Sequence, residues 1–371
     1  MRIGVPREIK SNEHRVGLTP SSVRECVAHG HEVLVEASAG AGIGAGDAAY
    51  EKAGARILAT AAEVFERAEL VVKVKEPQSD ERRRLREGQV LFTYLHLAPD
   101  PAQAEDLVSS RAVCIAYETV TQAGGGLPLL APMSEVAGRM AVQAGAHCLE
   151  KHAGGMGTLL GGVPGVPPAK IVVLGAGVVG THAVQMAVGL GARVTVIDRN
   201  VDRLRQLDLL FGNRIATRYS TAAAIEDAVH DADVVIGGVL IPGAAAPRLV
   251  TRAMVSRMKQ GSVVVDVAID QGGCFETSRP TTHADPTFVV DGVVHYCVAN
   301  MPGAVARTST QALNNATLAH GLALADHGWR AAMQRDVHLR QGLNVCQGQV
   351  THEAVASALG HAHVPAETLL A

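Results

Sequence analysis

Residues 171–198 constrain the fold more than any other part of the chain, because they read as a strand, a glycine turn, a helix and a second strand. Residues 171–174 form the continuous apolar run typical of a parallel strand that is covered on both faces. Gly175, Gly177 and Gly180 follow in the pattern G-x-G-x-x-G. The first glycine allows the tight turn, the second lets the backbone approach a pyrophosphate, and the third lets the helix lie close to the strand. The segment therefore predicts a dinucleotide-binding unit.

The residue that ends the second strand indicates which dinucleotide binds. Asp198 lies about 20 residues after the glycines, where an acid can accept hydrogen bonds from an adenosine ribose. A carboxylate at this position repels a 2′-phosphate, so we expect NAD as the cofactor. Arg199 comes directly after it and keeps NADP open as an alternative. A lone glycine pattern can also be an ordinary turn, but the complete strand, turn, helix, strand and acid favour nucleotide binding.

Length, charge and cysteine usage limit the class of protein. A chain of 371 residues is long enough for two domains, and its net charge of -3 without a long basic run argues against nucleic acid or an anionic membrane as partner. The six cysteines are widely separated and form no C-x-x-C pair, which favours a reducing compartment over a zinc or dithiol site. No apolar stretch reaches the roughly 18 residues of a membrane helix, and the N-terminus has no signal core. We expect a soluble, cytoplasmic protein without a metal.

Strand-like and helix-like segments alternate along most of the chain, which predicts parallel sheets. Strand-like segments before residue 128 lie at 2–5, 31–36, 70–75, 89–96 and 112–119, and those after the glycine turn lie at 232–240, 261–270 and 287–300. We therefore predict an α/β protein of two Rossmann-like, doubly wound parallel-sheet domains separated by an inter-domain cleft. Residues 1–128 with 306–371 would form a discontinuous substrate domain, and residues 129–305 the NAD-binding domain.

Two cationic residues at the carboxyl ends of predicted strands are candidates for substrate binding, because ligands of α/β sheets bind at that edge. Arg15 lies in the loop after the first strand, and its planar fork suits a carboxylate. Lys75 ends the segment 70–75, where alternation puts Lys73 on the same face. A lysine there can be a carboxylate partner, a base or a Schiff-base nucleophile. A solvated arginine and a surface lysine are equally open interpretations.

Two further residues are candidates for proton transfer. His96 ends the segment 89–96, and its imidazole can donate or accept a proton near neutral pH. Asp270 ends the segment 261–270, where it could activate water or orient the reacting group near a nicotinamide. A structural histidine and a turn-forming or capping aspartate are the alternatives.

Eight segments in this order and spacing resemble alanine dehydrogenases over nearly the whole chain. They are GVPREIKSNEHRVGLTP, VKVKEP, FTYLHLA, AYETV, APMSEVAGRMA, GGVPGVPPAKIVVLGAGVVG, VDVAIDQGG and NMPGAV. The resemblance implies reversible, NAD-dependent oxidative deamination of L-alanine to pyruvate and ammonium. The chain is also similar to the soluble NAD-binding part of proton-translocating transhydrogenases, which share the fold but lack amino-acid chemistry.

The resemblance also implies a role for individual residues and a homohexameric assembly. Arg15 and Lys75 would bind the substrate carboxylate, with Met133 and Asn300 near the substrate, while His96 and Asp270 would serve as proton donor and acceptor. The residues implied around NAD are Ser134, Gly175, Gly177, Val178, Val179, Gly180, Asp198, Arg203, Ser220, Val239, Leu240, Val267, Ala268, Ile269, Asp270, Arg279, Val298, Ala299, Asn300 and Met301.

Two positions depart from the family pattern, and two alternative functions stay open. Arg203 stands where a lysine is common, which keeps the positive charge, and Ala306 replaces a proline after NMPGAV, which we expect to loosen that turn. One alternative is a non-catalytic NAD-binding module of a transhydrogenase-like system that works with a membrane partner. In that branch the position of His96 is usually not histidine, and a membrane segment or subunit follows. The other alternative is a dehydrogenase for another small amino acid or 2-oxo acid, such as glyoxylate.

Overall fold

A computed structural model of the chain describes residues 1–239 and 246–370, and these residues divide into two compact units. The first unit comprises Met1–Met133 and the described residues from Val305 onward, and the second comprises Ser134–Ala304. Each unit has its own mostly parallel sheet with helices between the strands. This architecture confirms the predicted α/β class with two Rossmann-like domains.

Strands and helices alternate through both units. In chain order, the described strands are β1 (Arg2–Val5), β2 (Glu32–Glu36), β3 (Arg56–Leu58), β4 (Leu70–Val72), β5 (Val90–Thr93), β6 (Val113–Ala116), β7 (Lys170–Leu174), β8 (Arg193–Asp198), β9 (Ile215–Tyr219), β10 (Val234–Gly237), β11 (Val263–Asp266), β12 (Thr287–Val290), β13 (Val293–Tyr296), β14 (Leu343–Cys346) and β15 (Gln349–Val350). The described α-helices are α1 (Pro20–Ala28), α2 (Asp47–Lys52), α3 (Ala61–Arg67), α4 (Ser79–Arg82), α5 (Pro101–Ser110), α6 (Ala131–Cys148), α7 (Val178–Gly189), α8 (Val201–Phe211), α9 (Ala222–Asp231), α10 (Arg252–Val255), α11 (Ala306–Arg335), α12 (Val337–Arg340) and α13 (Glu353–Leu359).

The first sheet has the strand order β15-β14-β6-β5-β4-β1-β2-β3. Its strands are parallel from β3 to β6, whereas β14 pairs antiparallel with both β6 and β15. The strand order reverses between β1 and β4, so the carboxyl ends of these strands flank a switch point, where open α/β sheets bind ligands. The connections that leave β1, β4 and β5 at this edge carry Arg15, Lys75 and His96.

The second sheet has the strand order β12-β13-β11-β10-β7-β8-β9. All neighbouring strands are parallel except the hairpin of β12 and β13. Its order reverses between β7 and β10, which puts the glycine turn after β7 and Val239 after β10 on either side of the switch point. The glycine turn therefore lies at the switch point of the second sheet, where doubly wound sheets bind nucleotides.

Several predicted strands end earlier than expected. The strands in segments 112–119 and 232–240 end at Ala116 and Gly237, and segment 287–300 is the hairpin of β12 and β13. The strands in segments 70–75, 89–96 and 261–270 end at Val72, Thr93 and Asp266. Lys75, His96 and Asp270 therefore lie in the connections after the strands and do not end them, and Asp270 belongs to a short 3-10 helix. The prediction was wrong here because apolar runs and alternation continue beyond the last residue that pairs with a neighbouring strand.

Each unit has an apolar core of its own. The strands β5, β10 and β11 are buried along their whole length, as expected for parallel strands covered on both faces. All six cysteines are buried free thiols. Within the described ranges, the structure contains no helix that combines the length and apolar character needed to span a membrane.

Candidate active site

The glycine turn after β7 has the geometry that its three glycines predict. Gly175 has φ 99°, a left-handed conformation that glycine adopts without strain. A Cβ on Gly180 would lie 1.8 Å from the carbonyl oxygen of Gly175, so only glycine lets α7 approach the turn this closely. A Cβ on Gly177 would meet no atom within 4 Å. The space beside Gly177 is thus open where a pyrophosphate would approach the backbone.

The N-terminus of α7 fits an anionic ligand. Gly177 is its N-cap and, within the described residues, no side chain accepts a hydrogen bond from the first N–H groups of this helix. In contrast, Asn200, Thr221 and Thr251 cap α8, α9 and α10 of the same unit. Uncapped N–H groups and the positive end of the helix dipole are the usual partners of a phosphate. The residues present therefore fit the diphosphate of a dinucleotide.

Asp198 and Arg203 both contact the glycine turn. Asp198 accepts hydrogen bonds from the N–H groups of Ala176 (2.6 Å) and Asn200 (2.7 Å). The guanidinium of Arg203 donates from Nε and Nη2 to the carbonyl oxygen of Ala176, at 3.0 and 2.9 Å, and from Nη2 to Thr181. Arg203, which stands where the family pattern has lysine, thus holds the turn with two donors of its planar fork. The side chain of Arg199 is exposed.

The other residues implied around NAD lie mostly in connections at the carboxyl ends of the second sheet. Ser220 follows β9, Val239 follows β10, and Val267–Gln271 form the 3-10 helix after β11. The stretch from Val298 to Met301 follows β13. Leu240 lies outside the described residues. Ser134 is in α6, and Val178 and Val179 begin α7. The guanidinium of Arg279 lies 4.3 Å from the ring centroid of Phe288.

Arg15 is buried, so the alternative of a solvated arginine is wrong. Its side chain is only 2% exposed, and Nε donates a hydrogen bond to Glu13 Oε1 at 2.7 Å. Its Nη1 lies 3.0 Å from the sulfur of Met133. Burial lowers the pKa of Arg15, but the hydrogen bond and the charge of Glu13 outweigh burial, and the net shift of its pKa is upward. A charged guanidinium held in a buried position is suited to binding a carboxylate.

His96 lies against Tyr94 and Glu118. The rings of His96 and Tyr94 stack at 5.7 Å between centroids with 5° between planes, and the imidazole Nδ1 lies 3.9 Å from Glu118 Oε1. The side chain of His96 is 42% exposed, so it is open to a ligand or solvent. The φ of His96 is 50°, a left-handed conformation that is uncommon for a residue with a side chain and occurs at functional sites. Arg15 contacts Met133, and His96 stacks on Tyr94, within the same unit.

Lys73 and Lys75 have different environments, although alternation predicts one face for both. The ammonium of Lys73 is fully buried and donates to Glu8 Oε2 (3.0 Å) and Glu81 Oε1 (2.7 Å). Burial lowers the pKa of Lys73, but the two carboxylates outweigh burial and raise it. Lys75 is half-buried, and its N–H donates to Glu8 Oε1 at 3.2 Å. Lys73 is therefore a structural residue, and Glu8 links it to the backbone of Lys75.

Asp270 and Asn300 lie close together in the second unit. The N–H of Asn300 is 3.5 Å from Asp270 Oδ2, and the carbonyl oxygen of Asn300 accepts a hydrogen bond from His283 Nε2 at 3.1 Å. Asn300 also has a left-handed φ of 58°. The carboxylate of Asp270 is exposed. Its position allows it to exchange a proton with a bound ligand or with water.

Sequence reasoning missed the carboxylates that support these residues. Glu8, Glu13 and Glu118 contact Lys75, Arg15 and His96, respectively. In the second unit, the buried Asp266 accepts hydrogen bonds from Cys274 N (2.9 Å) and Ser278 Oγ (2.6 Å), and burial raises its pKa against the effect of these bonds. Glu8, Glu13 and Glu118 each lie in a segment that resembles the family, but nothing in the local pattern distinguishes them from surface acids.

Comparison with known proteins identifies the family. The model described as "Alanine dehydrogenase/PNT, N-terminal domain" matches residues 4–137, and "Alanine dehydrogenase/PNT, C-terminal domain" matches residues 141–353. The alanine dehydrogenase of Halomonas elongata is 62% identical over 370 residues, covering 100% of both chains. A solved L-alanine dehydrogenase is 53% identical with a TM-score of 0.94, covering 97% of this chain and 99% of the other. A transhydrogenase from Sinorhizobium meliloti is 28% identical with a TM-score of 0.82, covering 95% of this chain and 100% of the other. The chain therefore belongs to the alanine dehydrogenase/PNT family, as its motifs predict.

Proposed function

We propose that this protein catalyses the reversible, NAD-dependent oxidative deamination of L-alanine to pyruvate and ammonium. The observation that carries the proposal is the 62% identity, over the full length of both chains, to the alanine dehydrogenase of Halomonas elongata. The fold supports it, because Arg15, Lys75 and His96 follow the carboxyl ends of β1, β4 and β5. These three strands are adjacent in the first sheet and include the two at its switch point.

The second unit is assigned to NAD and the first to the substrate. When bound, NAD would be the oxidant, because its nicotinamide accepts the hydride that leaves Cα of alanine. The backbone at Gly177 and the first N–H groups of α7 would hold the diphosphate. Asp198 would accept hydrogen bonds from the adenosine ribose, and its negative charge favours NAD over NADP.

Arg15 and Lys75 would bind the carboxylate of alanine. Glu13 keeps the guanidinium of Arg15 charged and fixed in a buried position, where a charge-assisted hydrogen bond is stronger than in water. Met133 contacts the same guanidinium and would lie beside the substrate, as would Asn300. Two cations on one carboxylate orient Cα, and a fixed orientation can supply a large part of a rate enhancement.

His96 and Asp270 would carry the protons of the reaction. After the α-ammonium group of alanine has lost one proton to solvent, loss of hydride from Cα leaves an iminium ion, and water adds to its carbon as one of the two residues removes a proton from that water. The product is a carbinolamine. A proton then passes from its hydroxyl group to the amino nitrogen through the same residues, the C–N bond breaks, and pyruvate and ammonia leave. Imidazole and carboxylate are suited to these transfers because each can hold a proton and release it.

A single assay tests the proposal. Protein, NAD and L-alanine are mixed at alkaline pH and the absorbance of NADH is followed, and the reverse reaction is started with pyruvate, ammonium and NADH. A panel with glycine, L-serine and glyoxylate tests the alternative substrates, and NADP tests the cofactor. We expect turnover with L-alanine and pyruvate above the other compounds. NAD binding without turnover of any amino acid or 2-oxo acid would contradict the proposal.

A second candidate function is a non-catalytic NAD-binding module. The similarity to the transhydrogenase from Sinorhizobium meliloti, with a TM-score of 0.82, favours it. This candidate predicts NAD binding without NADH formation, so the same assay separates the two. By family resemblance we also propose a homohexamer in the cytoplasm, which light scattering and cell fractionation would test.

A further inference from the structure

Three metal-binding side chains meet at the C-terminal end of α6, and the proposed function uses none of them. His147 lies in the last turn of the helix, Glu150 follows the helix, and His152 lies in the short 3-10 helix Lys151–Ala153. One ligand atom from each of the three lies within 4.8 Å of the others. Among the described residues, this is the one group of histidine, cysteine or acidic side chains with such spacing.

The carboxylate of Glu150 lies between the two imidazoles. His147 Nδ1 is 3.6 Å from Glu150 Oε1, and His152 Nδ1 is 3.4 Å from Glu150 Oε2. The centroids of the two imidazole rings are 5.3 Å apart, with 64° between the planes. The Nδ1 of each imidazole is thus close to a different oxygen of one carboxylate.

The backbone fixes the spacing of the three residues. The N–H of Glu150 donates to the carbonyl oxygen of His147 (3.0 Å), and the N–H groups of Ala153 (3.1 Å) and Gly155 (3.0 Å) donate to that of Glu150. A Cβ on Gly155 would lie 2.2 Å from the carbonyl oxygen of Cys148, so the turn is compact. The backbone therefore holds the three residues next to one another.

We propose that His147, Glu150 and His152 form a binding site for a divalent transition-metal ion, with Zn²⁺ as the ion to test. Zn²⁺ takes imidazole nitrogen and carboxylate oxygen at about 2.0–2.2 Å, which in a tetrahedral site puts ligand atoms about 3.3–3.6 Å apart. Each histidine Nδ1 lies at such a distance from one oxygen of Glu150, at 3.6 Å from Oε1 for His147 and at 3.4 Å from Oε2 for His152. The side chains are 62%, 53% and 69% exposed, so they can adjust and water can complete the coordination.

Among the residues that the structure describes, only these three form the group. Cys148 is adjacent to the group in sequence, but its side chain is buried, whereas the three proposed ligands are exposed. The other five cysteines are buried as well, so the folded protein offers few competing sulfur ligands. A bound ion would connect the last turn of α6 to the 3-10 helix and stabilise this region by mass action.

The experiment uses the full chain without a polyhistidine tag, stripped of metal with a chelator and titrated with Zn²⁺ by calorimetry. The variants are His147→Gln, Glu150→Gln and His152→Gln, and the control is His327→Gln, which removes an exposed histidine of α11. Thermal unfolding without zinc, followed by circular dichroism, checks that each variant is folded.

We expect one Zn²⁺ per chain in the unaltered protein and in the control. Each of the three variants should bind at least about tenfold more weakly, because loss of even an outer-shell partner of a metal ligand costs about 10–100-fold in affinity. Absence of a stoichiometric site in the unaltered protein would overturn the proposal. Unchanged affinity in any of the three folded variants would overturn the three-ligand site as well. Both readouts are independent of alanine oxidation.

Discussion

The backbone N–H of His96 donates a 2.6 Å hydrogen bond to Oε1 of Glu118, whose carboxylate also accepts from the N–H of Leu95. Glu118 thus holds the segment in which His96 has a left-handed φ of 50°. We expect Glu118→Ala to lower kcat for alanine oxidation by about 10²-fold, because small displacements of a reacting group can cost that much. Loss of hydrogen bonds to a charged group should also lower the free energy of unfolding by about 1.5–3 kcal/mol.

The conservative variant Glu118→Gln separates positioning from a purely structural role. Gln keeps one acceptor oxygen, so it should restore part of the activity that Ala loses. Steady-state kinetics on both variants, at a temperature where circular dichroism shows them folded, makes the comparison. A normal kcat in Glu118→Ala would disprove the positioning role.

Substitution of the two proposed proton carriers tests the mechanism directly. We expect His96→Ala and Asp270→Asn each to lower kcat by about 10²–10⁴-fold, the usual contribution of a general acid or base. Binding of NADH, followed by its fluorescence, should persist in both variants because neither change alters the glycine turn. His327→Ala serves as the matched control with normal kinetics. If both variants oxidised alanine at nearly normal rates, the acid–base mechanism would be wrong.

Two glycines of the same turn should respond differently to alanine. In Gly180→Ala the new Cβ meets the carbonyl oxygen of Gly175 at 1.8 Å, so the backbone must move and the unfolding free energy should fall by about 1–3 kcal/mol. In Gly177→Ala the Cβ has no atom within 4 Å, and we expect a loss below about 1 kcal/mol, as for an N-cap change.

NAD affinity should nevertheless fall in Gly177→Ala, because the methyl group occupies the space where the pyrophosphate approaches the backbone. Urea unfolding without cofactor and NADH titration measure the two effects separately. Normal NADH affinity in a folded Gly177→Ala variant would show that the diphosphate binds elsewhere.

Lys73 and Lys75 offer a second matched pair. Lys73→Met leaves the carboxylates of Glu8 and Glu81 buried without their cation, and breaking a buried ion pair in this way costs about 3–5 kcal/mol. Lys75→Met should keep most of the stability and lose alanine turnover, because we assign Lys75 to the substrate carboxylate. Chemical denaturation and kinetics on both variants test the division. Equal stability of the two variants would contradict it.

The buried His295 predicts how stability depends on pH. Its Nδ1 contacts the carbonyl oxygen of Val293 (3.0 Å) and its Nε2 contacts the hydroxyl of Thr277 (2.8 Å), which suits a neutral ring. Burial lowers the pKa of His295 from its ordinary value of 6.5, despite the raising effects of Val293 and Asp291. The unfolded chain therefore binds more protons at this residue than the folded chain does, and stability falls as the pH decreases from 7 through 6.5.

His295→Gln removes this titration while keeping hydrogen-bonding groups. We expect its unfolding free energy to depend less on pH than that of the unaltered protein, with a difference in slope of at most about 1.4 kcal/mol per pH unit. Urea unfolding at several pH values between about 7.5 and about 5, which bracket the ordinary pKa of histidine, measures this difference in slope. Parallel curves for the two proteins would show that His295 does not titrate on unfolding.

The sequence by itself determined the class of fold, the nucleotide turn and the family. These features depend on local properties. Continuous apolar runs specify buried parallel strands. Gly175 allows a left-handed φ, and Gly180 leaves room for the carbonyl oxygen of Gly175, five residues away. The resemblance in eight segments then indicated Arg15, Lys75, His96 and Asp270 as candidates, because each of them lies within one of these segments.

Only the tertiary structure decided which charged residues are buried and what they contact. Lys73 and Lys75 belong to one alternating segment, yet Lys73 is fully buried between Glu8 and Glu81. Glu118 reaches His96 across 22 positions of sequence, and β14 joins β6 from the far end of the chain. The side chains of His147, Glu150 and His152 come together where α6 ends, so helical periodicity alone does not predict this group. Burial and contacts of this kind arise from long-range packing, which local propensity and periodicity do not encode.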